Sequence, residues 1–265
     1  MSSIKARHRS ADLLLGVVTY NNNQSQINRL LRSIELATDF LKNKLSVQVY
    51  VVDNGSETVW PQATVEVIKF DSAGNVGFGK AMNMLMASAF SNPEAQWFLC
   101  VNPDGALHYK ALSELLQTSA SSPDSLIEAR QFPEEHLKYY NPVTLETPWA
   151  SGACLLIPRK IYEAVGGFDL NIFMYLEDVD LCWRARSAGF SIKMSPNALF
   201  GHAVLDRDPD RNAEKAFLLS GRYLGFKWKN RKFQNWAEKI LIDRGFFLPN
   251  LSCPSCPSWR TAHKS

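Results

Sequence analysis

The sequence predicts an α/β protein with a mostly parallel central sheet flanked by helices, followed by a C-terminal helical extension. Short apolar runs alternate with segments of helical periodicity in the first third of the chain, which is typical of doubly wound α/β folds. Three of these runs end in polar residues, at positions 20–23, 53–56 and 102–104. Because open α/β sheets bind ligands at the carboxyl ends of their strands, these turns are candidates for one binding site.

The individual elements are predicted from the same two signals. Leu13 opens an apolar run that fits a buried parallel strand, and Ile27, Leu30, Leu31 and Ile34 then recur at helical spacing. The predicted strands are 13–19, 47–52, 65–70, 97–101 and 149–157, with a strand-like segment at 198–200; the helices lie around 27–36, 80–90, 112–116 and 214–247; and the stretch 119–147 shows no regular pattern.

These elements divide the chain into four parts. We expect a flexible N-terminus at 1–10, a main α/β domain at 11–212, a helical extension at 213–250 and a flexible tail at 251–265. The 265 residues, 46% of them hydrophobic, suffice for one large domain with a sizeable core. A net charge of +3 does not indicate nucleic-acid binding, so no nucleic-acid partner is expected.

The cysteines and the absence of long apolar runs bear on the compartment. Cys100, Cys154 and Cys182 lie in apolar segments and are expected to be buried thiols. Cys253 and Cys256 lack a second pair of ligands at a spacing suited to zinc, so we assign them to the tail. With no signal-peptide pattern and no bilayer-spanning run in the sequence, a cytoplasmic location is expected.

The segment 173–183 combines three carboxylates with apolar and aromatic neighbours. Buried carboxylates require hydrogen bonds, opposite charges or a metal, and apolar surroundings shift their pKa values as a general base requires. One alternative is an ordinary helix N-terminus at which Glu177, Asp178 and Asp180 complement the helix dipole. Taken alone, the segment is compatible with both interpretations.

Four other features each allow two interpretations. Asp53 is suited to contact a nucleotide base or ribose, or to form an Asx turn with Gly55. Asp104 is suited to hold a divalent metal, or to belong to an ordinary Asn-Pro-Asp-Gly turn. His202 is a structural residue unless it converges on Asp104. The glycine-rich loop 74–79 does not follow the first strand, so it fits a substrate loop better than a dinucleotide fingerprint.

Together, seven motifs in one order resemble glycosyltransferase family 2, in the branch of the bacterial rhamnosyltransferases. The motifs are 17–21, 51–56, 75–79 with Asn83, 101–104, 149–157, 165–169 and 173–184. They cover about Leu13 to His202. The chain departs from the family after His202, where Ala203-Val204-Leu205-Asp206 replaces the frequent Gly-Gly-x-Ser. That departure puts the local phosphate contacts in doubt.

The resemblance implies the GT-A nucleotide-sugar-binding fold and the roles of particular residues. Asp178 would be the catalytic base and Glu177 its acidic neighbour. Asn102-Pro103-Asp104 stands where many relatives have Asp-x-Asp, so Asp104, with His202, would bind Mg²⁺ or Mn²⁺. Donor-nucleotide contacts are implied for Thr19, Tyr20, Asn21, Asp53, Asn75, Gly77, Lys80, Asn83 and Asn102, and sugar or acceptor contacts for Trp149, Ser151 and Gly152.

The implied activity is inverting, metal-dependent transfer of a sugar from dTDP-rhamnose or a UDP-hexose to a hydroxyl of a glycan or lipid-linked acceptor in surface polysaccharide synthesis. One alternative is a catalytically degenerate protein that binds sugar nucleotides. Another is a nicotinamide-dependent oxidoreductase, but the glycine fingerprint that it needs after the first strand is missing. The basic, aromatic C-terminal helices are suited to packing on the main domain, to forming a homodimer or to lying on the inner face of the cell membrane.

Overall fold

The computed structural model describes residues 12–42, 44–55, 58–72, 74–202 and 211–252. The predicted flexible ends at 1–10 and 251–265 therefore lie wholly or almost wholly outside the described residues, as do Cys253, Cys256 and residues 203–206. The strands are β1 Leu13–Thr19, β2 Val47–Asp53, β3 Glu66–Phe70, β4 Trp97–Val101, β5 Ala106–Leu107, β6 Ser125–Pro133, β7 Cys154–Pro158 and β8 Ser191–His202. The helices are α1 Gln24–Phe40, α2 Phe78–Ser91, α3 Ala111–Ser121, α4 Arg159–Val165, α5 Glu177–Ser187, α6 Arg211–Lys227 and α7 Arg231–Asp243.

The strands form one sheet in the order β3-β2-β1-β4-β7-β6-β8-β5 within the described residues. The first half is parallel: β1 pairs with β2 and with β4, and β2 pairs with β3. Thr19 is in register with Asp53, so the turns that follow β1 and β2 lie side by side. The α/β prediction is thus confirmed, and the predicted ligand-binding turns share the carboxyl edge of this half.

The second half of the sheet makes it mixed. Strand β7 runs antiparallel to β4 and β6, while β6 and β8 are parallel. The stretch 119–147, which was predicted to have no regular structure, contains β6. Strand β6 carries Glu128, Arg130 and Gln131 within or beside its apolar residues, and these hide the pattern of a buried strand. The predicted strand at 149–157 is shorter, because residues 149–153 form a turn and only β7 is extended.

Two hydrophobic layers cover the two faces of the sheet. Helices α1 and α3 pack on one face, where their buried leucine and isoleucine side chains meet alternate residues of β1, β2 and β4. Helices α2, α4 and α5 pack on the other face. Cys100, Cys154 and Cys182 are buried in these layers, as predicted from their apolar neighbours. Because both faces are covered, open access to the sheet remains at the strand ends.

The predicted C-terminal helical region forms α6 and α7, which pack against each other and against α5. Trp183 of α5 meets Trp228 with ring centroids 5.5 Å apart, and Leu224 lies in the same cluster. Within the described residues, no helix has both the length and the apolarity to cross a membrane.

Candidate active site

The acidic segment forms the start of α5, with Glu177, Asp178 and Asp180 in its first turn. Two consecutive non-glycine residues, Tyr175 at φ +69° and Leu176 at φ +64°, precede the helix in the left-handed region. This conformation is uncommon for bulky side chains and is typical of functional sites, where the surrounding structure holds it in place. It turns the chain sharply into α5, so the acids come directly after the bend.

Asp178 is held by two backbone N–H groups. The N–H of Gly152 donates to Oδ2 at 2.8 Å, and the N–H of Val179 donates to Oδ1 at 2.7 Å. Glu177 is almost fully buried, and its Oε2 has no hydrogen-bond partner in the described part of the chain. The two neighbouring acids therefore differ in their hydrogen bonds: two N–H donors favour the ionised form of Asp178, whereas Glu177 Oε2 has no such donor.

The pKa values of this acid pair are shifted by burial. Burial and then the neighbouring Asp178 charge raise the pKa of Glu177 to about 8. Burial also raises the pKa of Asp178, while the N–H groups of Gly152 and Val179 act in the opposite direction. A pair that takes up or releases a proton near neutral pH is suited to general acid–base chemistry.

The turn 149–153 joins the acid pair to the segment after β4. Gly152 donates to Asp178, and one residue later the carbonyl of Ala153 accepts from the N–H of Asn102 at 2.8 Å. On the other side of the turn, the N–H of Ser151 donates to Glu128 at 2.7 Å. The structure thus brings together Asp178, Asn102 and the predicted sugar-contacting residues Ser151 and Gly152.

Asp104 and His202 converge, which is the condition under which His202 becomes a candidate ligand. His202 Nε2 lies 3.3 Å from Asp104 Oδ1 and 3.5 Å from the Asn102 amide nitrogen, and its Nδ1 lies 3.1 Å from Gln131 Oε1. The ring is buried at the end of β8. Over the described residues, no group of three or more His, Cys, Asp or Glu side chains is arranged to hold a metal. Asp104 and His202 are thus two adjacent side chains whose chemistry suits a divalent cation.

The predicted nucleotide-binding residues lie at the adjacent ends of β1 and β2. Thr19 is buried, whereas the Tyr20 side chain is exposed and Asn21 has φ +52°. Asp53 accepts from the N–H of Gly55 at 2.9 Å and from the N–H of Thr58 at 2.7 Å. These bonds match the Asx-turn alternative for Asp53, in which its carboxylate closes the loop on itself.

The glycine-rich loop contacts the acidic segment. Gly77 has φ +86°, and a Cβ there would lie 2.3 Å from the carbonyl oxygen of Phe173. Asn75 accepts from the N–H of Gly77 at 3.1 Å, and Phe78 donates to the Phe173 carbonyl at 3.1 Å. Buried Asn54 donates to the Gly77 carbonyl at 3.2 Å. Only glycine fits this close approach, which fixes the loop beside residues 173–176.

Two donor-binding predictions on α2 have different outcomes. Lys80 lies exposed in the first turn of the helix and is free to reach a ligand at the loop. Asn83 instead donates to the carbonyl of Phe168 at 2.8 Å and accepts from its N–H at 2.7 Å. Because both polar ends of the amide bind the same backbone, Asn83 holds the turn before Asp169 in place.

Sequence reasoning missed a buried polar cluster beside Trp149. Glu128 of β6 accepts from Lys138 Nζ at 2.6 Å and from Tyr140 Oη at 2.7 Å. Lys138 Nζ also lies 4.2 Å from the centre of the Trp149 ring, and the tilted His136 ring has its centroid 5.4 Å from that of the same ring. Glu128, Lys138 and His136 lie in the stretch 119–147, for which the sequence shows no regular pattern. The one signal in the sequence was Glu128 itself, an acid among the apolar residues of a short run.

The comparisons with known proteins agree with this geometry. The family described as glycosyltransferase-like family 2 matches residues 127–222. An N-acetylglucosaminyl-diphospho-decaprenol L-rhamnosyltransferase of Mycobacterium tuberculosis is 29% identical, over 68% of this chain and 72% of its own length. The low-salt glycan biosynthesis hexosyltransferase of Haloferax volcanii is 24% identical, over 68% of this chain and 64% of its own, so the chain spans slightly less than two thirds of that relative.

A solved structure gives the same fold. The mannosyltransferase PcManGT from Pyrobaculum calidifontis, in complex with GDP-Man and Mn²⁺, superimposes with a TM-score of 0.59 at 17% identity. The superposition covers 91% of this chain and 67% of that one. The fold is thus that of the GT-A glycosyltransferases. In sequence, the chain is similar to glycosyltransferase-like family 2 over residues 127–222 and to the mycobacterial rhamnosyltransferase.

Proposed function

We propose that the chain is an inverting sugar transferase in which Asp178 is the catalytic base. The observation that carries this proposal is the hydrogen bond from Gly152 to Asp178, in a turn that also binds Asn102 through Ala153. The turn 149–153 thus links Asp178 and the predicted sugar-contacting residues to Asn102, which leads to Asp104.

In this mechanism, the acceptor hydroxyl lies between Asp178 and the anomeric carbon of the donor. Asp178 accepts the hydroxyl proton as the oxygen forms its bond to that carbon, and the bond to the diphosphate breaks with both electrons leaving on the diphosphate. Attack opposite the leaving group inverts the anomeric centre. Glu177 is buried next to Asp178, and its pKa is raised to about 8. It is therefore protonated below that pH and adds no second negative charge beside the base.

The residues near Asp104 fit a divalent cation held jointly with the donor. Magnesium is usually bound by one or two carboxylates together with substrate phosphates, so the pair of Asp104 and His202 matches the ligand set that a protein needs to supply. The imidazole ligand favours Mn²⁺ over Mg²⁺. When bound there, the cation stabilises the negative charge that develops on the leaving diphosphate.

For the substrates, we infer dTDP-rhamnose or a UDP-hexose as donor and a glycan or lipid-linked hydroxyl as acceptor. The rhamnose assignment is supported by the similarity to the mycobacterial rhamnosyltransferase, whose name includes a diphospho-decaprenol-linked sugar. A lipid-linked acceptor is consistent with a protein that works in the cytoplasm at the inner face of the cell membrane. Exposed apolar side chains on α6 and α7, Phe217 and Trp236 among them, supply a candidate surface for that contact or for a homodimer.

The experiment that tests the proposal replaces the base. We expect Asp178→Asn to bind dTDP-rhamnose or UDP-glucose with an affinity similar to that of the wild type, because its neutral amide keeps the size of the side chain. Turnover should fall by roughly a hundred- to ten-thousand-fold, the usual contribution of a general base. Calorimetry measures donor binding, and a product assay with a lipid-linked N-acetylglucosamine acceptor measures transfer.

Near-normal turnover by Asp178→Asn would remove this residue from the mechanism. Donor binding without turnover by the wild-type protein, across the donor and acceptor panel, would instead favour the degenerate sugar-nucleotide-binding alternative. A control at Asp124, an exposed acid that pairs with Lys160, should leave both measurements unchanged.

A further inference from the structure

A buried ion pair lies one short turn away from the proposed base. The side chains of Glu128 and Lys138 are 3% and 2% exposed, and their charged atoms are 2.6 Å apart. Tyr140 donates to the other carboxylate oxygen of Glu128, and Lys138 lies over the Trp149 ring. Buried charges with this many partners are costly to assemble, so a purely apolar contact would stabilise the fold at least as well. Their placement therefore calls for a functional reason.

The pair is connected to Asp178 through two consecutive residues of backbone. Glu128 accepts the N–H of Ser151 at 2.7 Å, and the next residue, Gly152, donates its N–H to Asp178 at 2.8 Å. Trp149, at the start of the same turn, is covered by Lys138. Glu128 thus fixes the turn from β6, while Lys138 fixes it from the 134–148 segment.

We propose that Glu128 and Lys138 are positioning residues that hold the 149–152 turn against Asp178 and set the charge environment of the acid pair. This inference rests on the proposed role of Asp178 as the base. Neither residue touches the reacting atoms; both act through the turn and through their charges.

Several charged or titratable groups face Asp178 from the elements around it. They are Glu177 and Cys182 on α5, His136 and Lys138 on the 134–148 segment, and Cys100 on β4. Glu128 on β6 pairs with Lys138 and interacts with His136 and Cys182. Burial, followed by the Lys138 charge, lowers the pKa of His136, so His136 is neutral near pH 8. The thiol pKa values of Cys100 and Cys182 are raised by burial, so both remain protonated there. Lys138 thus supplies the cation beside Asp178, and Glu128 supplies the anion that pairs with Lys138.

The test measures the titration of the acid pair directly, without substrate. Infrared difference spectra of the full chain follow the protonated-carboxyl band from acid to alkaline pH, and the band lost in Glu177→Gln identifies the pair. Lys138→Met removes a cation that favours the ionised form of the acid pair. The midpoint of the acid pair's titration should therefore rise by roughly one pH unit. Glu128→Gln removes an anion and keeps the side-chain shape, so the midpoint should fall. Lys160→Met, at an exposed lysine, is the matched control and should leave the midpoint unchanged.

A second readout tests the positioning itself. In the wild type and in Glu128→Gln, the Gly152 amide proton should follow the titration of the acid pair, because it donates to Asp178. In Glu128→Ala, the Ser151 N–H loses its acceptor, and the Gly152 resonance should no longer follow that titration.

Unchanged titration midpoints in both Lys138→Met and Glu128→Gln would overturn the proposal. Shifts of the two midpoints in the same direction would also overturn it, because they indicate a general loosening of the fold. If Glu128→Ala does not fold, the two charge variants still decide. Because neither readout uses turnover, failure here is distinguishable from failure of the Asp178→Asn test.

Discussion

At the residue scale, adjacent side chains of one sequence motif have different chemistry because their hydrogen bonds differ. Asp178 accepts hydrogen bonds from two backbone N–H groups, whereas Glu177 Oε2 has no hydrogen-bond partner in the described part of the chain. Asp180, two residues further on, accepts from Arg184 and Trp228 and pairs with Lys227. One acid is therefore suited to catalysis, one to holding a proton and one to fastening helices.

Asp104 is the residue at which metal dependence is tested. We expect Asp104→Ala to lose the increase in donor affinity that Mn²⁺ produces in the wild type, because the alanine removes the carboxylate of the two-ligand set. The change should be at least roughly tenfold in Kd, which corresponds to about 1.4 kcal/mol. Calorimetric titration of dTDP-rhamnose and UDP-glucose, with Mn²⁺ and with a chelator, measures it. A variant whose donor affinity still responds to Mn²⁺ as the wild type does would exclude Asp104 as a metal ligand.

At the element scale, α6 is fastened to α5 by buried charges as well as by tryptophans. Lys227 Nζ lies 2.6 Å from Asp169 and 2.7 Å from Asp180, and Tyr223 donates to Asp169 at 3.0 Å. Burial raises the pKa of Asp169, but the ion pair with Lys227 and the hydrogen bonds from Asn171 outweigh burial and lower this pKa to about 2. Lys227, the last residue of α6, thus balances the negative charge of Asp180 on α5.

Lys227→Met should accordingly destabilise the fold. Removing one partner of a buried ion pair leaves its acids without that cation and costs about 3–5 kcal/mol. Urea unfolding measures the loss as a lower midpoint. Lys239→Met is the control on α7, where the lysine is exposed, and a change within about 0.5 kcal/mol is expected there. Equal costs for the two variants would mean that the ions do not fasten α6.

The elements also show what the sequence allowed us to predict. Strands β1 and β4 were predictable as apolar runs and β2 as a valine-rich run, and each leads into polar residues. Strand β6 was not, since Glu128 interrupts its pattern and pairs with Lys138, ten residues later, in a contact that depends on the folded chain. For the same reason, Asp178 was predicted as a site residue while the groups that position it were missed.

At the scale of the whole molecule, α5 joins the catalytic edge of the sheet to the C-terminal helices. Its first turn contacts Gly152 through Asp178 and Lys227 through Asp180. A row of aromatic rings extends from the bend before α5 to the surface: Tyr175 meets Phe217, and Phe217 meets Trp236, each with ring centroids 6.4 Å apart. The exposed face of α6 and α7 is therefore continuous with the proposed active site.

This face carries the last prediction, which concerns the membrane contact. Trp236 is 45% exposed and Phe217 37%, and the cations Arg231, Lys232 and Lys239 are exposed on the same helix as Trp236. Aromatic side chains beside cations suit an anionic lipid surface, where each cation contributes about 1 kcal/mol. We expect the protein to co-sediment with phosphatidylglycerol-containing vesicles more than with pure phosphatidylcholine vesicles, and Trp236→Ser to reduce the bound fraction.

The matched control for this prediction is Val143→Ser, because Val143 is an exposed apolar residue of the 134–148 segment, away from α6 and α7. Its bound fraction should equal that of the wild type. No enrichment on anionic vesicles would exclude the membrane contact, and a concentration-dependent dimer that Trp236→Ser dissociates would assign the same face to a second copy of the chain. Whether a membrane or a second copy covers this face, the aromatic row contacts the bend at Tyr175, so the occupant would act on the geometry that leads into Glu177 and Asp178.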